Sequence, residues 1–314
     1  LVPHAESQAR VDAVLREFTT LEPPHDVGLA PILAVHDADY VDFLRSAHDE
    51  WIAAGRSGDA FPYTFPVRHR RRLDLTRIDA KLGQYSFDCG TPVAAGTWPA
   101  VYWNAQTALS ALDAVLRGQQ SAFALCRPPG HHAGRNYMGG YSYLNNVAIA
   151  AEHACQAGIG TLAILDVDYH HGNGTQDIFY QRGDVLTISL HADPKTDYPF
   201  YWGHADETGT GAGAGFNLNL PMPRGTVWSA YQTRLDQAID RVRRFAPELL
   251  VVPFGADTYA GDPISFFGIE TEDYTAMAAA IAALEVPTVI CMEGGYAVDA
   301  LGANVSAFLR GFEA

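Results

Sequence analysis

The second half of the chain alternates short apolar segments with longer helical segments, and this alternation constrains the fold more than any other feature. The predicted strands are 121–126, 161–167, 185–190, 248–254 and 287–292. The predicted helices are 144–157, 174–181, 227–245, 271–284 and 297–312. Strands that are apolar throughout and joined through helices form parallel sheets covered on both faces. The sequence therefore predicts an α/β fold with helices on both faces of a parallel sheet.

The first 120 residues are mostly helical, with apolar residues at helical spacing over 6–18 and 97–117. Between these helices, residues 52–75 are irregular and contain glycine, proline, aromatic residues and a basic run. Long loops in compact domains are usually functional or disordered. We therefore expect a single domain over residues 1–314, with a loop insertion at about 52–75.

Charge narrows the classes of partner. The chain carries 21 Lys and Arg residues against 36 Asp and Glu residues, a net charge of -15. Such a chain does not bind nucleic acid through its bulk field, but it attracts cationic substrates. It contains no run of about 18 apolar residues, so we expect no transmembrane helix and no membrane partner.

The four cysteines are far apart in the sequence, and none lies in a Cys-x-x-Cys motif. This spacing argues against a disulfide framework and against a cysteine-rich zinc site. We expect small buried thiols in a reducing, cytoplasmic compartment.

Polar residues collect where each predicted strand ends. They are His131 and His132; Asp166, Asp168, His170 and His171; His191 and Asp193; Asp257; and Tyr296. In open α/β sheets, ligands bind beyond the carboxyl ends of the strands. Five loops are therefore expected to converge on one cluster of histidines, aspartates and a tyrosine.

Three of these residues predict a metal site. Asp168 and His170 are two residues apart, so in an extended segment both side chains face the same way. Asp257 can supply a third ligand from a neighbouring strand. Two carboxylates and one imidazole suit Zn²⁺ with one position open for water. The same ligand types are compatible with Fe²⁺, Co²⁺ or Mn²⁺.

The other strand-end residues have two interpretations each. Adjacent imidazoles at His131 and His132 suit a general base and its electrostatic partner, or else a structural hydrogen-bonded pair. Gly294 and Gly295 permit a tight turn that aims Tyr296 inward. There the phenol can donate to a developing oxyanion, or it can simply pack against its neighbours.

Five motifs occur in order along the chain: RPPGHHA, DVDYHHGNGTQDIFY, VLTISLH, GADTYAGDP and EGGY. In order and spacing they resemble the zinc-dependent histone deacetylase and acetylpolyamine amidohydrolase family, over about residues 80–312. The resemblance implies the arginase-deacetylase fold, with an open, mostly parallel sheet. It also implies a zinc-dependent enzyme that removes acetyl or another short acyl group from an amine.

The resemblance implies two cation sites. The zinc ligands would be Asp168, His170 and Asp257. A monovalent cation, usually K⁺, would lie beside the zinc, at positions that match Asp166, Asp168, His170, Ser189 and Leu190. Some of these contacts would come from backbone carbonyls.

The resemblance implies catalytic roles as well. His132 matches the general base and acid, His131 its electrostatic partner, and Tyr296 the oxyanion-stabilising tyrosine. Asp166 would be the carboxylate that orients the imidazole of His131. Asn173 occupies a position where some members have an aspartate that orients the second histidine, and this is typical of the class II-like branch.

The substrate tunnel of the family is walled by aromatic residues and a glycine, which here match Tyr141, Tyr198 and Gly140. Asp88 matches a position that holds the substrate in relatives. Glu293 stands where other members have glycine.

Residues 87–98, 203–221 and the insertion near 52–75 are similar to bacterial acetylpolyamine amidohydrolases. In that group the insertion builds a dimer interface and narrows the entrance. The similarity implies a homodimer and a small, cationic acetylated amine as substrate. One departure is the basic run Arg68–Arg72, because a polyamine-binding rim should be acidic. The run either faces solvent or pairs with the partner subunit.

Three alternatives remain open. A class II-like deacetylase acting on acetyl-lysine in proteins or peptides would have the same site. A ureohydrolase of the same fold, with two Mn²⁺ ions, needs more carboxylate and histidine ligands and an Asp-x-His-x-Asp segment, which the sequence lacks. A non-catalytic binder of acylated amines would lack His132, Tyr296 or a metal ligand, and all of these are present.

Overall fold

Within residues 4–66 and 71–313, which the computed structural model describes, six strands form one sheet. The strands are β1 (Ser121–Ala124), β2 (Leu162–Asp166), β3 (Val185–Ala192), β4 (Asn217–Met222), β5 (Leu249–Phe254) and β6 (Thr288–Met292). Their order across the sheet is β1-β6-β5-β2-β3-β4, and every neighbouring pair is parallel. The predicted α/β fold is confirmed, and the sheet is parallel throughout.

Ten α-helices surround the sheet in the same described ranges. They are α1 (Gln8–Leu15), α2 (Ala30–Val35), α3 (Ala38–Ala53), α4 (Ile78–Gln84), α5 (Thr97–Leu116), α6 (Asn146–Gln156), α7 (Asn173–Phe179), α8 (Trp228–Phe245), α9 (Thr271–Ala282) and α10 (Val298–Arg310). One packed group consists of α2, α5, α6 and α7, and a second consists of α1, α8, α9 and α10. Both groups contact the sheet, and β2, β3, β5 and β6 are buried at every residue. The two groups therefore cover opposite faces. None of the described helices combines the length and apolar character needed to cross a membrane.

The five predicted strands all form within two residues of their expected bounds, but the sequence pattern missed β4. Asn217 and Asn219 interrupt the apolar run there. Both are nevertheless buried, because their side-chain amides donate to Oε1 of Gln176 over 2.9 and 2.8 Å. Tertiary hydrogen bonds, rather than local hydrophobicity, make this segment an edge strand.

The parallel sheet determines where the polar motifs meet. Since all six strands run in one direction, their carboxyl ends lie along one edge. The segments after β1, β2, β5 and β6 begin at Leu125, Val167, Gly255 and Glu293 and carry the predicted site residues. Strand β5 lies between β2 and β6, so the loops after these three strands are neighbours.

Residues 54–66 of the predicted insertion contain neither helix nor strand, whereas 52 and 53 are the last turn of α3. Of the basic run, Arg68, His69 and Arg70 lie outside the described residues. Arg72 is exposed, as expected for a run that faces solvent. Its guanidinium pairs with Asp37 at 2.9 Å and with Asp39, so its charge is balanced within its own chain.

Candidate active site

Asp168, His170 and Asp257 come together as a compact buried group. Among the described residues they are the one set of three or more metal-ligating side chains whose ligand atoms lie within 4.8 Å of one another. Nδ1 of His170 is 2.9 Å from Oδ2 of Asp257 and 3.4 Å from Oδ1 of Asp168. A single group of this size matches one metal ion per chain.

Backbone contacts hold the two carboxylates in place. Oδ2 of Asp168 accepts the N–H of Gly294 over 2.8 Å, and Oδ1 of Asp257 accepts the N–H of Tyr169 over 2.9 Å. A Cβ at Gly294 would lie 2.5 Å from Oδ2 of Asp257, and one at Gly255 would overlap the carboxylate of Asp168. The two glycines therefore leave the space that the carboxylates occupy.

The charge of this group fits a bound cation. Asp168 and Asp257 are fully buried, where isolated carboxylates are unfavourable. Burial, and then the charge of Asp168, raise the pKa of Asp257 to about 7. Burial alone would lower the pKa of His170, but its hydrogen bonds to the two carboxylates raise it to about 10. Two carboxylates and an imidazole that favour positive charge so strongly are a suitable ligand set for a divalent metal.

His131 and His132 lie beside this group, with ring centroids 4.1 Å apart. Nδ1 of His131 is 2.9 Å from Oδ2 of Asp166, and its Nε2 is 3.8 Å from Oδ1 of Asp168. Burial alone would lower the pKa of His131, but the charges of Asp168 and Asp166 outweigh it and raise the pKa to about 10. His131 is therefore placed to carry a positive charge.

His132 has the opposite environment. Its Nδ1 is 2.7 Å from Oδ1 of Asn173, a neutral acceptor. Burial, followed by the charges of His131 and His170, holds the pKa of His132 well below its usual value. Two neighbouring imidazoles with opposite pKa shifts can divide the roles of charged partner and neutral base.

Tyr296 is buried, and its ring lies next to the guanidinium of Arg10, 4.8 Å from Cζ to the ring centroid. Burial raises the pKa of Tyr296 well above its usual value, although Arg10 acts in the other direction. The phenol therefore keeps its proton and is available as a hydrogen-bond donor.

The predicted tunnel residues also lie beside the histidines. The ring of Tyr198 packs edge-on against His132, with centroids 5.2 Å apart. Gly140 has a φ of +54°, and a Cβ there would lie 2.6 Å from Cγ of His132. The next residue, Tyr141, also has a positive φ, 64°, and its ring lies 5.8 Å from that of Tyr296. Glycine at position 140 is required by this close approach.

Asp88 connects two of the predicted tunnel residues, Gly140 and Tyr198, through hydrogen bonds. Its Oδ2 accepts the N–H of Gly140 and the hydroxyl of Tyr198, each over 2.7 Å. Its Oδ1 accepts the N–H of Gly90 and the hydroxyl of Thr91 over 3.0 and 3.1 Å. Sequence reasoning placed Asp88 against the substrate, and the geometry adds a second task, because four donors within the protein already bind this carboxylate.

Of the residues predicted for K⁺, Asp166, Ser189 and Leu190 lie on the adjacent strands β2 and β3, and Asp168 and His170 lie in the loop after β2. Asp166 pairs with Ser189 in the register of the two strands, and Leu190 follows, fully buried. Oγ of Ser189 is 2.8 Å from Nδ1 of His191, and Oδ1 of Asp166 accepts the N–H of Asp168 over 3.1 Å.

Not all of the strand-end polar residues join the metal group. His171 hydrogen-bonds through Nε2 to Oδ1 of Asn219 over 3.2 Å. The imidazole of His191 lies between Ser189 and the carbonyl of Gly203. Asp193 accepts the N–H of Lys195 over 3.0 Å in a turn. These residues shape the surrounding loops.

Sequence reasoning missed two groups that hold the loop of Tyr296. Nε of Arg10 donates to the carbonyl of Gly295 over 2.7 Å. Oδ2 of Asp262 accepts the N–H of Tyr296 over 2.7 Å. Asp262 belongs to the recognised GADTYAGDP motif, so a signal existed. Arg10 is 285 residues from its partner, and nothing local marks it.

Comparisons with known proteins identify the family of the chain. The family described as the histone deacetylase domain matches residues 4–312. The chain is 49% identical to acetylpolyamine amidohydrolase 1 of Pseudomonas aeruginosa, covering 100% of this chain and 92% of that protein. It is 45% identical to the acetylpolyamine amidohydrolase of Mycoplana ramosa, over 99% of this chain and 93% of that one.

A solved structure has the same fold. The crystal structure of an acetylpolyamine aminohydrolase from Burkholderia pseudomallei superposes with a TM-score of 0.94 at 44% identity, over 99% of this chain and 92% of that chain. The resemblance inferred from the five motifs is confirmed. The chain belongs to the histone deacetylase family.

Proposed function

We propose that this protein is a zinc-dependent amidohydrolase that removes acetyl groups from small amines, acetylpolyamines above all. The observation that carries the proposal is the position of His132. It is a buried imidazole whose Nδ1 is engaged by Asn173, and its ring centroid is 6.1 Å from that of His170, one of the predicted metal ligands. A neutral base beside a group that can bind a metal is what hydrolysis of an amide requires.

The metal would be held by Asp168, His170 and Asp257. Zn²⁺ bound there would supply Lewis acidity towards the acetyl carbonyl and the attacking water. The two carboxylates and the imidazole are pre-arranged, since each carboxylate is already fixed by a backbone N–H. A monovalent cation, K⁺ in this proposal, would lie at Asp166, Asp168, His170, Ser189 and Leu190.

The protein's own groups would move the proton. Since Asn173 accepts the hydrogen of Nδ1, the free Nε2 of His132 takes a proton from water and later returns it to the leaving amine. His131, paired with Asp166, provides a fixed positive charge next to the developing negative charge. The phenol of Tyr296 donates to the carbonyl oxygen as that oxygen gains charge.

The substrate class is supported by the printed names of the relatives, which are acetylpolyamine amidohydrolases. The net charge of -15 favours a cationic amine through long-range attraction. The basic run argued against this class. Arg72, the last residue of that run, is neutralised by Asp37 and Asp39, which weakens the objection at this position.

We also propose a homodimer in which a single deacetylase domain contributes the 52–75 insertion to the interface. Phe61, Tyr63 and Phe65 support this, because they are 50%, 68% and 43% exposed. Aromatic residues grouped in this way often mark protein contacts. Light scattering at micromolar concentration should give a dimer, and a monomer would refute the assignment.

A cytoplasmic location completes the proposal. All four cysteines are free, and Cys126 and Cys291 are fully buried. Free thiols are typical of reducing compartments.

The test is a comparison of kcat/KM for N-acetylputrescine, N-acetylcadaverine and an acetyl-lysine peptide, at low and high salt. We expect both small amines to be the better substrates, with a preference that weakens as salt screens the charge. Faster turnover of the peptide than of either amine would favour the protein deacetylase instead. His132→Ala serves as the control that any turnover arises in this site.

A further inference from the structure

Glu293 is a fully buried carboxylate outside the metal group, and it contacts the loop that carries the two histidines. One oxygen, Oε2, accepts the N–H of Gly130 over 2.6 Å and the N–H of His131 over 3.1 Å. The other oxygen, Oε1, is buried with no hydrogen-bond partner among the described residues. A buried carboxylate is unfavourable unless its contacts compensate. Both hydrogen bonds of the Glu293 carboxylate are with one peptide segment, Gly130 and His131.

That segment has little freedom of its own. A Cβ at Gly130 would lie 2.7 Å from the backbone nitrogen of Asn146, so the loop is pressed against the start of α6. The N–H groups bound by Glu293 belong to the residue before His131 and to His131 itself. A rotation of these peptide groups would therefore displace both imidazoles together.

The side chain and the main chain of Glu293 have separate roles. Its N–H donates to the carbonyl of Phe254 over 2.8 Å, and its carbonyl accepts from Nη2 of Arg10. These contacts fix the end of β6 and the turn to Tyr296 without the carboxylate. Truncation of the side chain should therefore disturb the histidine loop and leave the tyrosine loop in place.

We propose that Glu293 is a positioning residue, whose carboxyl group fixes the peptide groups at Gly130 and His131 so that His132 is held at the reacting amide. The inference rests on the proposed role of His132 as the general base.

Comparison of Glu293→Gln with Glu293→Ala tests whether the hydrogen-bond acceptor is what matters at this position. Glutamine keeps an acceptor oxygen in a side chain of the same shape, whereas alanine removes it. Burial raises the pKa of Glu293 to about 7, so a neutral amide of the same shape is a suitable substitute. We expect Glu293→Gln to retain activity within about threefold of wild type. Glu293→Ala should lower kcat roughly 10- to 100-fold, the effect of a small misplacement of a catalytic group. KM and the metal content should be unchanged.

A matched control is Glu248→Ala. Oε1 of Glu248 also accepts a loop N–H, that of Gly160, over 3.2 Å, but it precedes β5 at the opposite edge of the sheet. This variant should keep wild-type kcat. Should Glu293→Ala fail to fold, Glu293→Asp replaces it. The shorter side chain withdraws the acceptor, and we expect a loss of at least about fivefold in kcat.

The decisive measurement is a double-mutant comparison. Residues that act as one unit are non-additive in their effects on kcat. The Glu293 substitution should have a smaller effect on kcat in a His132→Ala background, where only His131 is left to displace, than in a Tyr296→Phe background. Equal losses in both backgrounds would overturn the inference, as would a loss confined to KM or a Glu293→Gln variant as impaired as the alanine variant. Wild-type turnover by His132→Ala alone would instead refute the proposed catalytic role of His132.

Discussion

Nδ1 of His132 lies 2.7 Å from Oδ1 of Asn173, and this bond determines which nitrogen of the imidazole is free. The orientation of the Asn173 amide follows from its other end, since Nδ2 donates to the backbone carbonyl of His132 over 3.4 Å. The amide oxygen can only accept, so Nδ1 carries the hydrogen. Nε2 is left as the basic nitrogen of a neutral ring.

Asn173→Asp should move the acidic limb of the pH profile. A carboxylate in place of the amide favours the protonated imidazole and raises the pKa of His132, by about 1 to 3 units for close opposite charges. A general base must be unprotonated to act. The acidic limb of kcat/KM should therefore move to higher pH, and the variant should lose more activity at pH 6 than at pH 8. An acidic limb at the wild-type position would contradict the assignment of His132 as the base.

Gly140→Ala should disturb the same imidazole from its other side. The new Cβ would lie 2.6 Å from Cγ of His132, and the φ of +54° is unfavourable for alanine. We expect a fall in kcat of roughly 100-fold with the fold retained, as for a catalytic group displaced by about 1 Å.

Gly96→Ala is the matched control for this substitution. A Cβ at Gly96 meets nothing within 4 Å, and its φ is -88°. If Gly96→Ala lost as much activity as Gly140→Ala, steric contact with His132 would not be the cause of the loss in Gly140→Ala.

Asp257→Ala should remove the metal. Wild-type protein should contain about one transition-metal ion per chain, held by three protein ligands. Loss of one buried carboxylate leaves two ligands, so the metal content should fall close to zero in elemental analysis. His132→Ala should keep its metal.

The control for metal loss is Asp193→Ala, which removes another aspartate of the strand ends. Its side chain accepts the N–H of Lys195 and is not part of the metal group. A variant at Asp257 that retains its metal would refute this ligand set. Two tightly bound ions per wild-type chain would return the ureohydrolase to consideration.

Local patterns predict the parts of this site that follow strands. Asp168, His170 and Asp257 come within a few residues of buried strands, and parallel strands bring their ends to one edge. Contacts between distant segments leave no such pattern. The bond from Arg10 to Gly295 spans 285 residues. The polar side chains of β4 find their partners only in the folded protein, which explains why that strand was missed.

His36 predicts a dependence of stability on pH that is separate from catalysis. It is buried near the start of α3, its Nε2 accepts the N–H of Asn145 over 2.9 Å, and its Nδ1 donates to the carbonyl of Arg135 over 3.3 Å. The bond from Asn145 requires the neutral ring, because a protonated Nε2 cannot accept a hydrogen bond.

Protonation of His36 should destabilise the folded state. Burial lowers the pKa of His36 from 6.5 to about 4. Between these values the unfolded chain binds the additional proton, so the free energy of unfolding contributed by His36 is present above pH 6.5 and is lost as the pH falls to 4. The loss is at most about 3 kcal/mol, from 1.36 kcal/mol for each pKa unit.

Urea unfolding of wild type and His36→Gln at pH 7 and pH 4.5 measures this loss of stability. His191 titrates over the same range, because burial lowers its pKa to about 4 as well, but it is present in both proteins and its effect cancels in the difference. The stability advantage of wild type over the variant should shrink at the lower pH. An advantage that is equal at both pH values would show that His36 does not titrate in this window.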